Sequence, residues 1–178
     1  MIIKIIAGRY GGRLLKTPGG FRTHPMSERA RGAVFNSLAN WLGGAIVLDA
    51  FAGTGVLGLE AVSRGASRAV LVEKDRRAQS AIEENVAVLG VEENVQLIKG
   101  GLGGWLEKRD DMFDLIFSDP PYDEPQWKLV RELVGRLKDG GKLVVSRAKG
   151  GEAPVLEGVR LVGSKVYAEA AIDIYEKN

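Results

Sequence analysis

The chain contains no cysteine, and His24 is the only histidine among its 178 residues. Without thiols it can form neither disulfides nor thiolate metal sites, and one imidazole is too few for a zinc centre of the usual ligands. No apolar run approaches the roughly 20 residues of a membrane span. The apolar start, residues 1–8, is interrupted by Lys4 and is too short for a signal peptide. We therefore expect a soluble, cytoplasmic protein that uses no metal and no membrane, with a monomer as the default state.

Basic residues are concentrated at the N-terminus. The chain has a formal net charge of +2, but residues 1–31 hold seven basic side chains and a single acid, Glu28. This segment therefore carries +6 and the rest of the chain −4. A basic arm on a mildly acidic body favours a polyanionic partner at that end of the molecule, although such cations are about as often an ordinary solvated surface.

From residue 45 onward, short apolar runs alternate with helical periodicity, which is typical of a parallel sheet with crossover helices. Strands are predicted at 46–49, 69–73, 95–98, 113–117 and 142–146, and a terminal hairpin at 159–167 and 171–175. Helices are predicted at 55–64, 75–89, 101–108 and 125–138. The predicted fold is a Rossmann-like, doubly wound α/β domain with a mostly parallel seven-stranded sheet.

A small extension precedes this domain. Residues 2–6 and 12–16 predict two short strands around a glycine pair, and Ser27 predicts the N-cap of a helix. We therefore divide the chain into a basic hairpin-and-helix extension, residues 1–43, and a ligand-binding α/β domain, residues 44–178.

A glycine-rich loop follows the first strand of the α/β domain. Gly53, Gly55 and Gly58 match G-x-G-x-x-G between a strand and a helix, a pattern that allows a sharp turn and close backbone approach to a ligand. Asp49 and Glu73 end the first and second strands. Glu73 is placed to accept hydrogen bonds from both hydroxyls of a ribose, whereas Asp49 would repel the pyrophosphate of a dinucleotide. The sulfonium and ammonium of S-adenosylmethionine suit this pair of acids better.

The fourth strand ends in Ser118-Asp119-Pro120-Pro121-Tyr122, at the sheet edge where ligands of open parallel sheets bind. An exocyclic amine on a base is a poor nucleophile, because its lone pair is delocalised into the ring. The Asp119 carboxylate and the Pro120 carbonyl can accept its two N–H groups, and the paired prolines fix that carbonyl in place. Tyr122 offers a face on which an extruded base can stack. The motif therefore predicts an amino-methyltransferase.

With these motifs the sequence resembles the RsmD-type 16S ribosomal RNA guanine-N2 methyltransferases over nearly its whole length. The matching stretches are Ile5–Gly8 with Gly12-Arg13, Arg29–Arg31 with Val34–Asn36, Asp49–Glu60 and Asp119–Tyr122. The resemblance implies methylation of a guanine N2 amine in small-subunit ribosomal RNA, on naked RNA or on a partly assembled 30S subunit. It also implies that the extension binds RNA and that residues 44–178 bind S-adenosylmethionine.

Three departures from the family pattern stand out. His24-Pro25-Met26 replaces the usual Arg-Pro-Thr, Gly32 stands where Glu is frequent, and Lys99–Leu102 offers no acid or amide side chain for the adenine. The adenine contacts are therefore assigned to backbone groups around Gly100–Leu102, with Gly101 and Leu102 as the candidate residues.

The candidate sites fall into three sets. The catalytic set is Asp119, Pro120 and Tyr122. The cofactor set is Asp49, Phe51, Gly53, Gly55, Glu73, Gly101, Leu102 and Asp119. The candidate phosphate contacts in the extension are Arg9, Arg13, Lys16, Arg22, Arg29 and Arg31.

Other functions remain open at this point. Asp-Pro-Pro-Tyr also suits methylation of adenine N6 in DNA or RNA, or of a protein glutamine, although a basic arm argues against a glutamine substrate. The glycine pattern alone also allows a nicotinamide-dependent oxidoreductase. Asp49 argues against this function, as does the lack of an acid/base set for hydride transfer. A non-enzymatic RNA-binding module with a degenerate cofactor site would bind RNA regardless of S-adenosylmethionine.

Overall fold

The computed structural model describes residues 2–19, 26–168 and 170–178. The extension begins with two short antiparallel strands, β1 (Ile3–Lys4) and β2 (Leu14–Leu15), which are shorter than the sequence predicted. Helix α1 (Glu28–Ser37) follows, and the Ser27 hydroxyl caps it by accepting from the Ala30 amide at 3.2 Å. The predicted N-cap is therefore confirmed.

Strands and helices alternate from residue 46 to residue 148, and two further strands follow. In order they are β3 (Ile46–Asp49), α2 (Val56–Ser63), β4 (Arg68–Glu73), α3 (Arg76–Leu89), β5 (Val95–Lys99), α4 (Leu102–Leu106), β6 (Phe113–Ser118), α5 (Trp127–Val134), β7 (Leu137–Ala148), β8 (Val159–Val166) and β9 (Ala170–Lys177). They form a seven-stranded sheet of order β5-β4-β3-β6-β7-β9-β8. The first five strands in this order are parallel, and β9 is antiparallel to both β7 and β8. The predicted doubly wound fold is confirmed.

The largest boundary difference lies between α5 and β7. The sequence predicted a helix over 125–138 and a strand over 142–146, whereas α5 ends at Val134 and β7 begins at Leu137. The pairing with β6 shifts between Phe113 and Leu115, and Gly140 has φ +72° within the irregular stretch. A bulge of this kind lets a strand start before its regular apolar run. The apolar pattern of the sequence therefore did not predict the early start of β7.

The sheet is covered on both faces by apolar side chains. One cluster contains residues of α4 and α5. The other contains residues of α2 and α3 together with the extension, whose Phe35, Leu38 and Leu42 are almost fully buried. The Phe35 and Phe117 rings lie with centroids 5.3 Å apart, which joins α1 to the centre of the sheet. The extension therefore shares the core of the α/β domain. None of the helices that the structure describes is long and apolar enough to cross a membrane.

Polar contacts with α2 fix the extension. The Glu60 carboxylate, fully buried, accepts from the amides of Ile6 at 2.7 Å and Ala7 at 3.1 Å and from Nε of Arg64 at 2.7 Å. Ser63, one turn later, donates its hydroxyl to the Ala7 carbonyl at 2.6 Å. Because α2 also begins at the glycine-rich loop, one helix connects the extension to the predicted cofactor site.

Candidate active site

A cleft opens at the carboxyl edge of the parallel strands. In the pairing of β3 with its two neighbours, Asp49 is level with Leu71 and with Phe117. Glu73 and Asp119 each lie two residues beyond those partners, so both reach the edge at the same height. The two acids are separated by two strand spacings, or about 10 Å. The cleft has a volume of ≈ 500 Å³ and is lined by Glu73, Asp119 and the glycine-rich loop.

The loop has the conformation that its glycines predict. Gly53 and Gly55 have φ of +56° and +76°, in the left-handed region that favours glycine. A Cβ on Gly58 would lie 2.6 Å from Cδ1 of Leu71, so α2 packs against β4 more closely than any side chain would allow. The first two glycines thus shape the turn, and the third brings the helix against the strand.

Asp49 lies behind the loop and is fully buried. Its Oδ2 accepts from the Gly58 amide at 3.1 Å, whereas its Oδ1 has no hydrogen-bond partner within the described part of the chain. Burial raises the pKa of Asp49 to about 7, the Gly58 hydrogen bond opposes that rise, and the charges of Asp119 and Glu73 add to it. Three acids thus share one region, which is an environment that favours a cationic ligand.

Glu73 combines two tasks at the end of β4. Its Oε2 accepts from the Gly53 amide at 2.7 Å, and its Oε1 accepts from the Asp75 amide at the same distance. These bonds orient the carboxylate at the cleft wall while leaving lone pairs on both oxygens. The arrangement supports the predicted role of Glu73 as an acceptor for hydroxyl groups.

Asp119 is held by groups from two other elements. The Ser146 hydroxyl on β7 and the Met26 backbone amide, just before α1, both hydrogen-bond to its carboxylate. Burial raises the pKa of Asp119 to about 6, and these two hydrogen bonds oppose the rise. The carboxyl group is therefore mostly ionised at neutral pH and can act as an acceptor.

The predicted residues do not all reach the cleft. The wall includes Phe51, Gly53, Glu73, Gly101, Leu102 and Asp119. Asp49, Gly55 and Pro120 are buried and are not among the residues that line it. Tyr122 is half-buried against the core, and its hydroxyl lies 2.8 Å from Oγ of Ser146. Burial raises the pKa of Tyr122 above its usual value.

The candidate phosphate contacts divide into exposed and buried cations. Arg9, Arg13, Lys16 and Arg29 are exposed, and Lys16 forms an ion pair with Glu84 of α3. The expectation for Arg31 was wrong, because this side chain is only 2% exposed and its Nη2 donates to the Lys4 carbonyl at 2.7 Å. Burial lowers the pKa of Arg31. The predicted contact Arg22, like His24, lies outside the described residues.

Several residues at the site were not predicted. Pro18 and Gly19 bring the extension to the cleft wall, and Lys74 and Arg77 lie on the same wall. Gln126, also on the wall, is the one non-glycine residue in the described ranges with a positive φ, 54°. Ser146 is 2% exposed and contacts both Asp119 and Tyr122. A serine inside an apolar strand was the only signal for Ser146, and such a residue is usually structural.

A protein-family model described as Conserved hypothetical protein 95 matches residues 3–176 of this chain. The chain belongs to this family. The match confirms the resemblance to RsmD-type enzymes, because ribosomal RNA small subunit methyltransferase D of Escherichia coli K12 is 32% identical over 98% of the chain and 90% of its own length.

Solved structures agree with this family assignment. The structure of yhhF from Escherichia coli has a TM-score of 0.90 at 31% identity, covering 100% of this chain and 99% of its own. The hypothetical protein TTHA0928 of Thermus thermophilus has a TM-score of 0.83 at 32% identity, covering 97% of this chain and 98% of its own. The family fold is that of class I methyltransferases.

Proposed function

We propose that this protein is an S-adenosylmethionine-dependent methyltransferase that modifies the exocyclic N2 amine of a guanine in small-subunit ribosomal RNA. The observation that carries the proposal is the position of Asp119, level with Glu73 at the mouth of an acid-lined cleft. The name of the Escherichia coli relative supports ribosomal RNA as the substrate. The proposal covers the whole chain, because that relative aligns with 98% of it.

The residues of the cleft fit the cofactor. S-adenosylmethionine supplies a methyl group on a positively charged sulfur. The region holds a concentration of negative charge from three acids, Asp49, Glu73 and Asp119. The most direct indication that a ligand belongs there is Oδ1 of Asp49, which has no hydrogen-bond partner within the described part of the chain. Glu73 would accept from the ribose hydroxyls, and Gly53 would let the backbone pass close to the ligand, while Gly55 shapes the turn that follows. Backbone groups at Gly101 and Leu102 would contact the adenine.

Asp119 and Pro120 would act on the target amine. An ionised Asp119 accepts one N–H, and the Pro120 carbonyl accepts the other, which directs the nitrogen lone pair towards the methyl group. The Ser146 and Met26 hydrogen bonds keep the carboxylate oriented before substrate arrives, so little reorganisation is needed. The Tyr122 ring would stack on the extruded base, with its hydroxyl anchored on Ser146.

The extension would supply part of the RNA contacts. Arg9, Arg13, Lys16 and Arg29 are exposed on it, and phosphate contacts of this kind position RNA without reading its sequence. Residues 1–43 would thus bind the RNA backbone, and residues 44–178 would bind the cofactor and present Asp119 to the target base. We further propose that the protein acts as a monomer in the cytoplasm, on small-subunit RNA or on a partly assembled 30S subunit.

The test is methyl transfer from radiolabelled S-adenosylmethionine to small-subunit RNA, or to subunits from a strain that lacks its own enzyme. Nucleosides are separated after digestion. Asp119→Asn should lose ~10²–10³-fold in rate, while Asp123→Asn, an exposed acid of the same loop, should keep wild-type activity. Label in N2-methylguanosine supports the proposal. Label in N6-methyladenosine would keep the chemistry and reject guanine, and transfer to DNA alone would reject RNA.

A further inference from the structure

Three cations flank Asp75 at the rim of the cleft. Lys74, Arg76 and Arg77 are all exposed, and Lys74 and Arg77 line the cleft itself. Lys74 directly follows Glu73, the acid that the proposed function assigns to the ribose. We refer to these three residues as the rim cations.

The rim cations form no ion pair with the described residues of the protein. Within the ranges that the structure describes, no carboxylate lies within 4.0 Å of any of their charged groups. Asp75 stands between them, but its Oδ1 accepts from the backbone amides of Arg77 and Ala78 as the cap of α3. Two other cations do pair with acids of α3: Lys16 with Glu84 and Lys99 with Glu83.

Their position is also unfavourable for the helix. Arg76 and Arg77 are the first residues of α3, and its first turn contains no acid. The N-terminus of a helix carries a partial positive charge, which repels cations and attracts anions. Arg76 and Arg77 thus disfavour the start of the helix, and no ion pair within the described ranges compensates for this. Charges kept at such a cost to stability indicate a functional use.

The rim cations are close to both the reactive edge and the extension. Glu73 and Asp119 reach the sheet edge at the same height, about 10 Å apart. Arg77 and Glu84 are seven residues apart in α3 and therefore lie on one face of the helix, about 10 Å apart. Glu84 pairs with Lys16 of the extension. A line of cations thus runs from the extension to the cleft through Lys16, Arg77 and Lys74.

We propose that Lys74, Arg76 and Arg77 form a second phosphate-binding surface for the substrate RNA, continuous with the exposed cations of the extension. This inference rests on the proposed function, because it assumes that RNA delivers the base to Asp119. Phosphates of nucleotides next to the target base would lie over the rim cations, and the extension would hold RNA further along this line of cations. Each neutralised phosphate releases condensed counterions, so the surface makes RNA affinity depend on salt.

The test compares two triple variants of equal charge change. Lys74→Gln/Arg76→Gln/Arg77→Gln removes the rim cations. Lys108→Gln/Arg109→Gln/Arg131→Gln removes three exposed cations that do not line the cleft. Binding of unmethylated small-subunit RNA, transcribed in vitro, is measured by fluorescence anisotropy over a series of salt concentrations. Binding of S-adenosylmethionine is measured by calorimetry, and thermal stability is measured for each variant.

The rim variant should bind RNA about tenfold more weakly at low salt and lower the slope of log affinity against log salt by ~2. Its cofactor affinity should fall much less than its RNA affinity, and its melting temperature should be equal or higher. Equal RNA binding by the two triple variants would overturn the inference, as would loss of cofactor binding in the rim variant. If the wild type itself neither binds nor methylates this RNA, it is the proposed function that fails.

Discussion

The hydroxyl of Tyr122 and the hydroxyl of Ser146 lie 2.8 Å apart, and Ser146 also hydrogen-bonds to the Asp119 carboxylate. A serine hydroxyl has one proton to donate, and an ionised carboxylate can only accept. Ser146 must therefore donate to Asp119 and accept from Tyr122. These two bonds join Asp119 and Tyr122 of the Asp-Pro-Pro-Tyr motif through Ser146, which lies 24 residues beyond Tyr122.

Ser146→Ala should move the acid limb of the pH–rate profile to higher pH. The Ser146 hydrogen bond favours the ionised form of Asp119 and so lowers its pKa, which is about 6 in the native protein. Its loss raises that pKa, and kcat/KM should fall several-fold near this pKa but little in mildly alkaline solution. Methyl transfer measured from acid to alkaline pH gives the shift.

Ser118→Ala is the matched control, because Ser118 is equally buried but its hydroxyl has no hydrogen-bond partner within the described ranges. It should leave the profile unchanged. An unchanged acid limb in Ser146→Ala would contradict the assignment of Ser146 as the hydrogen-bond donor that lowers the pKa of Asp119. Titration of Asp119 by carbon NMR in the free protein would reveal the same shift without relying on activity.

Cofactor affinity should increase as the pH rises through neutrality. The pKa of Asp49 is about 7, raised first by burial, so this acid becomes ionised over that interval and then attracts a cationic ligand. The gain should reach up to ~10-fold. S-adenosylhomocysteine, which lacks the positive sulfur, should bind with a weaker pH dependence. Calorimetry below, at and above the pKa of Asp49 compares the two ligands.

Asp49→Asn should weaken S-adenosylmethionine binding and flatten its pH dependence, because the amide cannot ionise. It retains an oxygen to accept from the Gly58 amide, so the loop geometry is preserved. Affinity that is independent of pH in the wild type would show that Asp49 does not respond to the ligand charge.

Gly58→Ala should destabilise the protein by ~1–3 kcal/mol through overpacking. The added Cβ would lie 2.6 Å from Cδ1 and 3.1 Å from Cγ of Leu71, which itself is fully buried. Gly104→Ala is the control, since nothing in the described part of the chain lies within 4 Å of its added Cβ and it sits inside α4. That change should stabilise by ~0.5–1 kcal/mol. Urea unfolding of both variants, followed by circular dichroism, tests the difference.

Glu60→Ala should cost ~3–5 kcal/mol, because it leaves two amides and the Arg64 guanidinium without their buried acceptor. Glu84→Ala breaks the exposed pair with Lys16 and should cost less than ~1 kcal/mol. The Glu60 variant should also expose the extension to proteolysis before the α/β domain. Equal losses of stability in the two variants would refute the anchoring role of Glu60.

The sequence determined the architecture of the sheet and the main chemical groups of the site. Alternating apolar strands and amphipathic helices specify a doubly wound fold through local periodicity, and the strand ends then bring Glu73 and Asp119 to one edge. The glycine spacing predicted the sharp loop after β3, which its positive φ angles confirm. These features depend on residues that are neighbours in the chain, so they can be predicted from the sequence.

The tertiary structure decided which polar side chains are paired, buried or free. Arg31 belongs to a basic segment by sequence, yet it is buried against the Lys4 carbonyl. Glu60 resembles an ordinary helix acid, yet it anchors a residue 54 positions away. Ser146 acquires a role only because β7 pairs with β6. Burial and hydrogen-bond partners arise from contacts between distant segments, and the charge or periodicity of a segment does not specify them.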